Sequence, residues 1–139
     1  MIHRFPIRVY YSDTDCGGIV YHGRYLDFAE HARTEMLREL GGKQNVSGSH
    51  TSLLESEGLV FVVKSISVDY QSPARLDDLL EVQTTLESAK RFSIVFRQTV
   101  LRDGLSLCVL LVKVASINMQ THRPMPLPAW FVPAFTSAI

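Results

Sequence analysis

Cysteine is scarce in this sequence: there are two, Cys16 and Cys108, among 139 residues, and they form no CxxC pair. That excludes a disulfide framework and a zinc knuckle, and both are read as reduced thiols, Cys108 in the core. An excess of one charge is also missing, since 14 Lys plus Arg face 14 Asp plus Glu. A chain of zero formal charge lacks the broad basic surface that holds a polyphosphate backbone, so nucleic acid is not expected as a partner. Long hydrophobic runs are absent too. The longest, Leu107 to Val112, stops at Lys113, far short of the roughly 20 residues that a membrane span requires. Arg4, Pro6 and Arg8 interrupt the stretch where a secretory signal would be apolar, so a cytoplasmic location is expected.

Metal-ligand spacings are lacking as well. The five histidines, His3, His22, His31, His50 and His122, make no HxH or HxxxH pair. Asp13, Asp15 and Gly18 match positions 1, 3 and 6 of a calcium loop, but Gly17 stands at position 5 and Arg24 at position 12, so the bidentate carboxylate is missing. No GxGxxG, Walker or GxSxG pattern occurs, which removes nucleotide loops and the hydrolase nucleophile elbow. What is present is 46% apolar and 20% charged residues, the balance of one folded domain spanning residues 1–139.

Periodicity supplies the architecture. Phe5, Ile7, Val9 and Tyr11 alternate with Arg4, Pro6, Arg8 and Tyr10, the two-residue period of a half-buried strand ending at Ser12-Asp13. From Arg24 the period changes. Leu26, Ala29, Ala32/Arg33, Met36, Leu37 and Leu40 form one helical stripe, which Gly41-Gly42 is expected to stop. Residues 43 to 50 read as a polar loop and Thr51 to Glu57 as a short helical turn. Alternating apolar positions then predict strands through residues 59–70, 80–87, 92–100 and 105–118. Ser72-Pro73-Ala74 marks a turn and Asp103-Gly104 a tight hairpin. The last strand is apolar at both parities, as a central strand would be. Four prolines surround Trp130, Phe131 and Phe135 in the tail, which predicts at most a single helical turn. Strand, long helix and four antiparallel strands make an α+β domain in which a curved sheet wraps one helix, the description of a hotdog fold.

Chemistry-bearing residues concentrate between Val9 and Tyr25: two carboxylates, two glycines, a histidine and several tyrosines, between a strand and a helix start. Such density on a loop held by rigid elements marks a candidate site. Asp13 and Asp15 also fit the ordinary role of aspartate in turns, bonding nearby backbone amides, and His22 that of a solvated histidine at a helix start. Tyr11 also fits a core aromatic.

The run Tyr-Tyr-Ser-Asp-Thr-Asp-Cys-Gly-Gly-Ile-Val-Tyr-His-Gly-Arg-Tyr-Leu-Asp-Phe, residues 10–28, followed by Ala-Arg-Thr-Glu-Met-Leu, closely resembles the 4-hydroxybenzoyl-CoA thioesterase clade of hotdog enzymes. Within that clade it is most similar to the tol-pal-associated acyl-CoA thioesterases of the YbgC type. The likeness continues through Phe61-Val-Val-Lys and Tyr70-Gln-Ser-Pro-Ala-Arg-Leu-Asp-Asp-Leu-Leu, over residues 5 to 118. It implies hydrolysis of an acyl-CoA, with an acyl-carrier-protein thioester as a further substrate class, and no cofactor beyond the coenzyme A of the substrate. It implies Asp15 as the catalytic carboxylate, with Asp13 ordering the loop, His22 and Tyr11 as catalytic partners, and Tyr25 as a lining residue. It also implies a homo-oligomer, dimer or tetramer, whose site joins Asp15 of one chain to strand residues near Lys64 and Ser65 of another.

Physical chemistry fits that assignment. A helix start presents unpaired amides and partial positive charge, so the backbone at His22 and Gly23 is a candidate oxyanion donor. Gly17 and Gly18 allow the backbone to swing Asp15 toward it. Coenzyme A carries phosphates, and the acid-free stretch from 88 to 102 supplies Lys90, Arg91, Arg97 and Arg102, of which Lys90 and Arg91 are the expected phosphate ligands. Residues 41 to 59 and the proline-rich tail are expected to border the acyl pocket. The competing readings are an aromatic acyl-CoA thioesterase, a non-catalytic acyl-CoA or carrier-protein binder, and a hydratase on the same fold.

Overall fold

A computed structural model of the chain describes residues 1–43 and 49–137. Five strands, β1 (His3–Arg8), β2 (Leu59–Tyr70), β3 (Leu79–Ala89), β4 (Ser93–Arg102) and β5 (Leu105–Asn118), and three helices, α1 (Arg24–Lys43), α2 (His50–Glu57) and α3 (Phe131–Ser137), make up the regular structure. The strands form one antiparallel sheet in the order β1-β3-β4-β5-β2. β5 is interior, which is why both of its parities are apolar. At the β4–β5 hairpin Asp103 and Gly104 both take positive φ, 50° and 80°, the backbone twist that a two-residue connection demands.

One face of the sheet packs on α1. Val82, Ile94, Phe96, Val100, Leu110 and Val112 meet Tyr25, Phe28, Ala29, Ala32, Met36, Leu37 and Leu40 in a single core. The expected helical stripe is present with one exchange at its start, where Tyr25 and Phe28 are buried and Leu26 is exposed. Gly41-Gly42 does not end the helix, which runs to Lys43. A glycine costs about 1 kcal/mol against alanine inside a helix. The amides of residues 41–43 close the carbonyls of the turn carrying Leu37 and Leu40, and burying each leucine is worth roughly 1.5–3 kcal/mol, so packing outweighs propensity. The loop expected over residues 43 to 50 lies mostly outside the described residues. α2 is capped at its start by Ser49, whose side chain accepts the Ser52 amide, and at its end by Gly58 with φ 67°. α3 is longer than the single turn expected, because Phe131, Ala134 and Phe135 bury one face in the core.

The two edges of the sheet differ. β1 is six residues long and carries Arg4, Pro6 and Arg8 outward, features that discourage further pairing. β2 is twelve residues long and exposes Val62 and Val63 at 42% and 44%. It bulges where its register with β5 shifts between Val63 and Ser65, at Lys64. Among the described residues no helix is long and apolar enough to cross a membrane.

Candidate active site

The site loop begins where β1 ends. Tyr11 does not continue the strand as its alternation predicts. The Tyr10 amide donates to Oδ2 of Asp13 at 2.8 Å, and this bond draws residues 11–13 into a single 3-10 turn, leaving Tyr11 81% exposed. A core position for Tyr11 is thereby excluded. The chain then doubles back. Thr14 pairs with Val20, the Asp15 amide donates to the Ile19 carbonyl at 3.0 Å, and the Tyr21 amide donates to the Asp13 carbonyl at 2.9 Å. Gly18 closes the tip at φ 77°, its amide donating to the Asp15 carbonyl, a left-handed conformation that glycine alone adopts without strain.

The two aspartates are distinct in this geometry. Asp13 uses both carboxylate oxygens: Oδ2 holds the Tyr10 amide, and Oδ1 lies 3.3 Å from Nε of Arg24. Arg24 also donates to the Ser12 carbonyl at 3.2 Å and to Asp27 at 3.0 Å, so it bolts the helix start to the loop. Asp15 is exposed, and its Oδ1 accepts the Gly17 amide at 2.9 Å. Its Oδ2 has no hydrogen bond and no cation partner among the described residues. A Cβ on Gly17 would lie 3.2 Å from that Oδ1, close enough to shift the carboxylate slightly.

Beyond the loop, residues 21–24 form a turn closed by the Arg24 amide on the Tyr21 carbonyl at 2.9 Å. The amides of His22 and Gly23 donate to no described residue, as expected of a helix start. The Tyr21 ring lies so close to Gly23 that a Cβ there would stand 2.9 Å from it. The His22 ring is exposed, 4.4 Å from the Tyr21 ring centre and edge-on to Tyr70 at 6.4 Å. No hydrogen bond or ion pair joins His22 to Asp15 among the described residues. Tyr25 is 3% exposed, and its hydroxyl accepts the Ala74 amide at 3.2 Å; burial, the largest influence, pushes its pKa up. It acts as a core residue under the site.

The remaining expected residues lie elsewhere in the chain. Lys64 and Ser65 are exposed at the middle of β2. Lys90 and Arg91 sit at the β3–β4 turn, the far end of the sheet from Asp15, about 30 Å away along β3 at 3.3 Å per residue. Of the four cations in that stretch, Arg97 pairs with Glu87 at 3.2 Å and Arg102 with Asp78 at 2.7 Å. Arg91 lies over the Phe92 ring at 5.2 Å, and neither it nor Lys90 has a carboxylate partner among the described residues.

A cleft of about 320 Å³ opens between α1 and the first half of β2. Met36, Leu37, Phe61, Val63 and Phe96 form its apolar walls, with His50 and Phe131 at its border and Glu30, Arg33 and Thr34 along the helix. His50, whose pKa is lowered chiefly by burial, lies 3.2 Å from the Thr34 hydroxyl. Arg33 donates to Oε1 of the fully buried Gln98 at 2.9 Å, and Gln98 in turn donates to the Ala29 carbonyl and to Thr84. Sequence reasoning missed this polar set, because Gln98 carries no signal of its own within an apolar strand.

The loop, helix and sheet together match a known family, whose model covers residues 9–135. The chain belongs to the thioesterase-like superfamily. It is 46% identical over 131 residues to the acyl-CoA thioesterase YbgC of Haemophilus influenzae, covering 94% of this chain and 92% of that one. It is 42% identical over 138 residues to the acyl-CoA thioester hydrolase YbgC of Escherichia coli O6:H1, covering 96% of each. Among solved structures, a probable thioesterase from Bartonella henselae superposes with a TM-score of 0.82 at 34% identity, over 92% of this chain and 100% of that one. The hotdog architecture of this thioesterase-like chain, one antiparallel sheet around a long helix, is thus shared with its relatives.

Proposed function

We propose that this chain is an acyl-CoA thioesterase whose site is built from two copies, with Asp15 as the carboxylate that drives hydrolysis. The observation that carries this reading is the presence, in one loop and the helix start that follows it, of an exposed carboxylate oxygen on Asp15 and two unengaged amides, His22 and Gly23. Thioester hydrolysis needs both parts: a base or nucleophile at the acyl carbon, and donors for the oxygen that gains charge. Asp15 adds to the acyl carbon, forming an anhydride that water then opens, or takes the proton of an attacking water; in both routes a proton from that water ends on the departing sulfur. Either way the carbon–sulfur bond breaks, coenzyme A leaves as its thiol, and the acid is released. The names of the relatives over nearly the whole length support the substrate class.

Topology supports the second copy. An exposed twelve-residue edge strand favours pairing. Two β2 strands paired antiparallel about a two-fold axis place the first half of one beside the end of the other. The cleft and the Lys90–Arg91 turn lie at one end of the sheet, and the Asp15 loop and Tyr70 at the other. Such pairing therefore brings the cleft and free cations of one chain to the catalytic loop of its partner, with Lys64 and Ser65 at the seam. The cleft is the acyl site, and Lys90 and Arg91 meet the phosphates of coenzyme A.

Thiol release from acyl-CoAs of short, medium, long and aromatic acyl groups, and from an acyl-carrier-protein thioester, tests the assignment. Turnover by the parent and a loss of at least a hundredfold in Asp15→Asn are expected. Binding without release would make the chain a binder, and parent-level turnover in Asp15→Asn would remove Asp15 from the chemistry.

A further inference from the structure

One side chain in the site region has a geometry that its fold position does not require. Tyr70 ends β2, paired with Cys108, and its ring leaves the sheet to reach the start of α1. There its hydroxyl donates to the His22 carbonyl at 2.9 Å. The ring is braced edge-on against Tyr25 at 5.6 Å, and Tyr25 is itself fastened to the Ala74 amide. Nearly half of the Tyr70 side chain remains exposed, so burial of the ring is not what holds it there.

The carbonyl it grips shares a peptide plane with the Gly23 amide. In a trans peptide the C=O and N–H point in opposite directions, and the chain contains no cis bond among the described residues. Fixing the oxygen of His22 therefore fixes the direction of the Gly23 N–H. The preceding peptide is held in the same manner, because the Tyr21 carbonyl accepts the Arg24 amide and leaves the His22 N–H free. Two consecutive peptides thus have their oxygens tied down and their hydrogens unengaged. A hydrogen bond at the oxygen also polarises its peptide and strengthens the N–H as a donor. The phenol keeps its proton for this role, since burial, then Cys108 and Tyr21, push its pKa above the usual value.

We propose that Tyr70 is a positioning residue for hydrolysis: by holding the His22 carbonyl, it aims the Gly23 amide at the thioester oxygen as charge develops there. This rests on the reading of the His22–Gly23 backbone as the oxyanion donor. Gly23 suits the task, because a Cβ there would stand 2.9 Å from the Tyr21 ring and make one of the two shift.

The test compares the parent with Tyr70→Phe, which removes one hydroxyl and keeps the ring. The probe is an acyl-CoA analogue in which a methylene replaces the thioester sulfur and the ketone carbon is labelled with carbon-13. Bound to the parent, the ketone resonance should move downfield, as hydrogen bonding requires; in Tyr70→Phe a substantial part of that movement should disappear. In the free protein the amide nitrogen resonance of Gly23 should shift between the two proteins. Turnover should fall about tenfold with KM within twofold, less than the 10²–10³ that follows outright removal of an oxyanion donor. Equal ketone resonances in both proteins, or an unmoved Gly23 signal, would overturn the role of Tyr70. A ketone that does not move even in the parent would overturn the oxyanion reading itself, and the inference with it.

Discussion

Nε of Arg24, at the first turn of α1, lies 3.3 Å from Oδ1 of Asp13, so the helix start and the loop that carries Asp15 are tied together. Asp13 also holds the Tyr10 amide, and the loss of a charged cap of this kind costs roughly 1–2 kcal/mol. Asp13→Ala should therefore lower the melting temperature by a few degrees and reduce turnover together. Asp15→Asn, whose amide oxygen can still accept the Gly17 N–H, should abolish turnover with almost no change in melting. Calorimetry beside the thiol-release assay separates the two, and equal melting losses in both variants would contradict the division of labour.

The tip of the loop depends on its glycines for different reasons. Gly18 sits at φ 77° with open space around it, so Gly18→Ala should cost stability, about 1–2 kcal/mol for a left-handed alanine. Gly17 has ordinary φ, but a Cβ would press on Oδ1 of Asp15 at 3.2 Å. Gly17→Ala should leave melting nearly unchanged and lower turnover, because it moves the carboxylate and not the backbone. Denaturant titration and kinetics on the pair check this contrast.

Cys108 and Cys16 should differ sharply toward thiol reagents. Burial, then the nearby Asp69 charge, pushes the Cys108 thiol up to about 12, so its thiolate is negligible near pH 8, whereas Cys16 is exposed on the site loop. Native protein should react with one equivalent of DTNB per chain and release the second only on unfolding. Two equivalents from folded protein would mean that the β5 core opens readily.

Acid stability should report on Asp78, which ties the start of β3 to Arg102 at the end of β4. Desolvation acts to raise its pKa, but the Arg102 side chain at 2.7 Å and the Arg75 amide outweigh it and hold the carboxyl below its usual value. A depressed folded pKa stabilises the protein above the unfolded value, and that contribution fades as pH falls through the folded one. Asp78→Asn should thus be less stable than the parent near pH 7, with the gap closing in strong acid. A constant gap down to pH 2 would assign the loss to geometry rather than charge.

The second copy can be tested at the exposed edge. Replacing Val62 or Val63 of β2 with aspartate should shift light-scattering mass from at least twice the chain mass toward one, and turnover should fall with it. A fully active monomer would place the whole site within one chain.

Local pattern was enough to read the strands, α1, the Asp103-Gly104 hairpin and the loop dense in carboxylates, because period and turn chemistry are properties of neighbouring residues. It also raised Asp15, His22 and Gly23 as chemistry, through the order of residues along one segment. Where it failed, the cause was a contact that hydropathy period does not carry. Tyr11 left the strand because Asp13 captured a backbone amide, and Gly41-Gly42 stayed helical because the core needed the turn before them. Arg97 and Arg102 turned out to be paired with carboxylates outside their own stretch. The difference between Asp13 and Asp15 also belongs to the tertiary structure. Both are aspartates in one loop, and only the approach of Arg24 and the Tyr10 amide engages one and leaves an oxygen of the other open. So too with Tyr70, which 48 residues separate from the His22 carbonyl it holds. A contact at that range exists only once the sheet has curled around the helix.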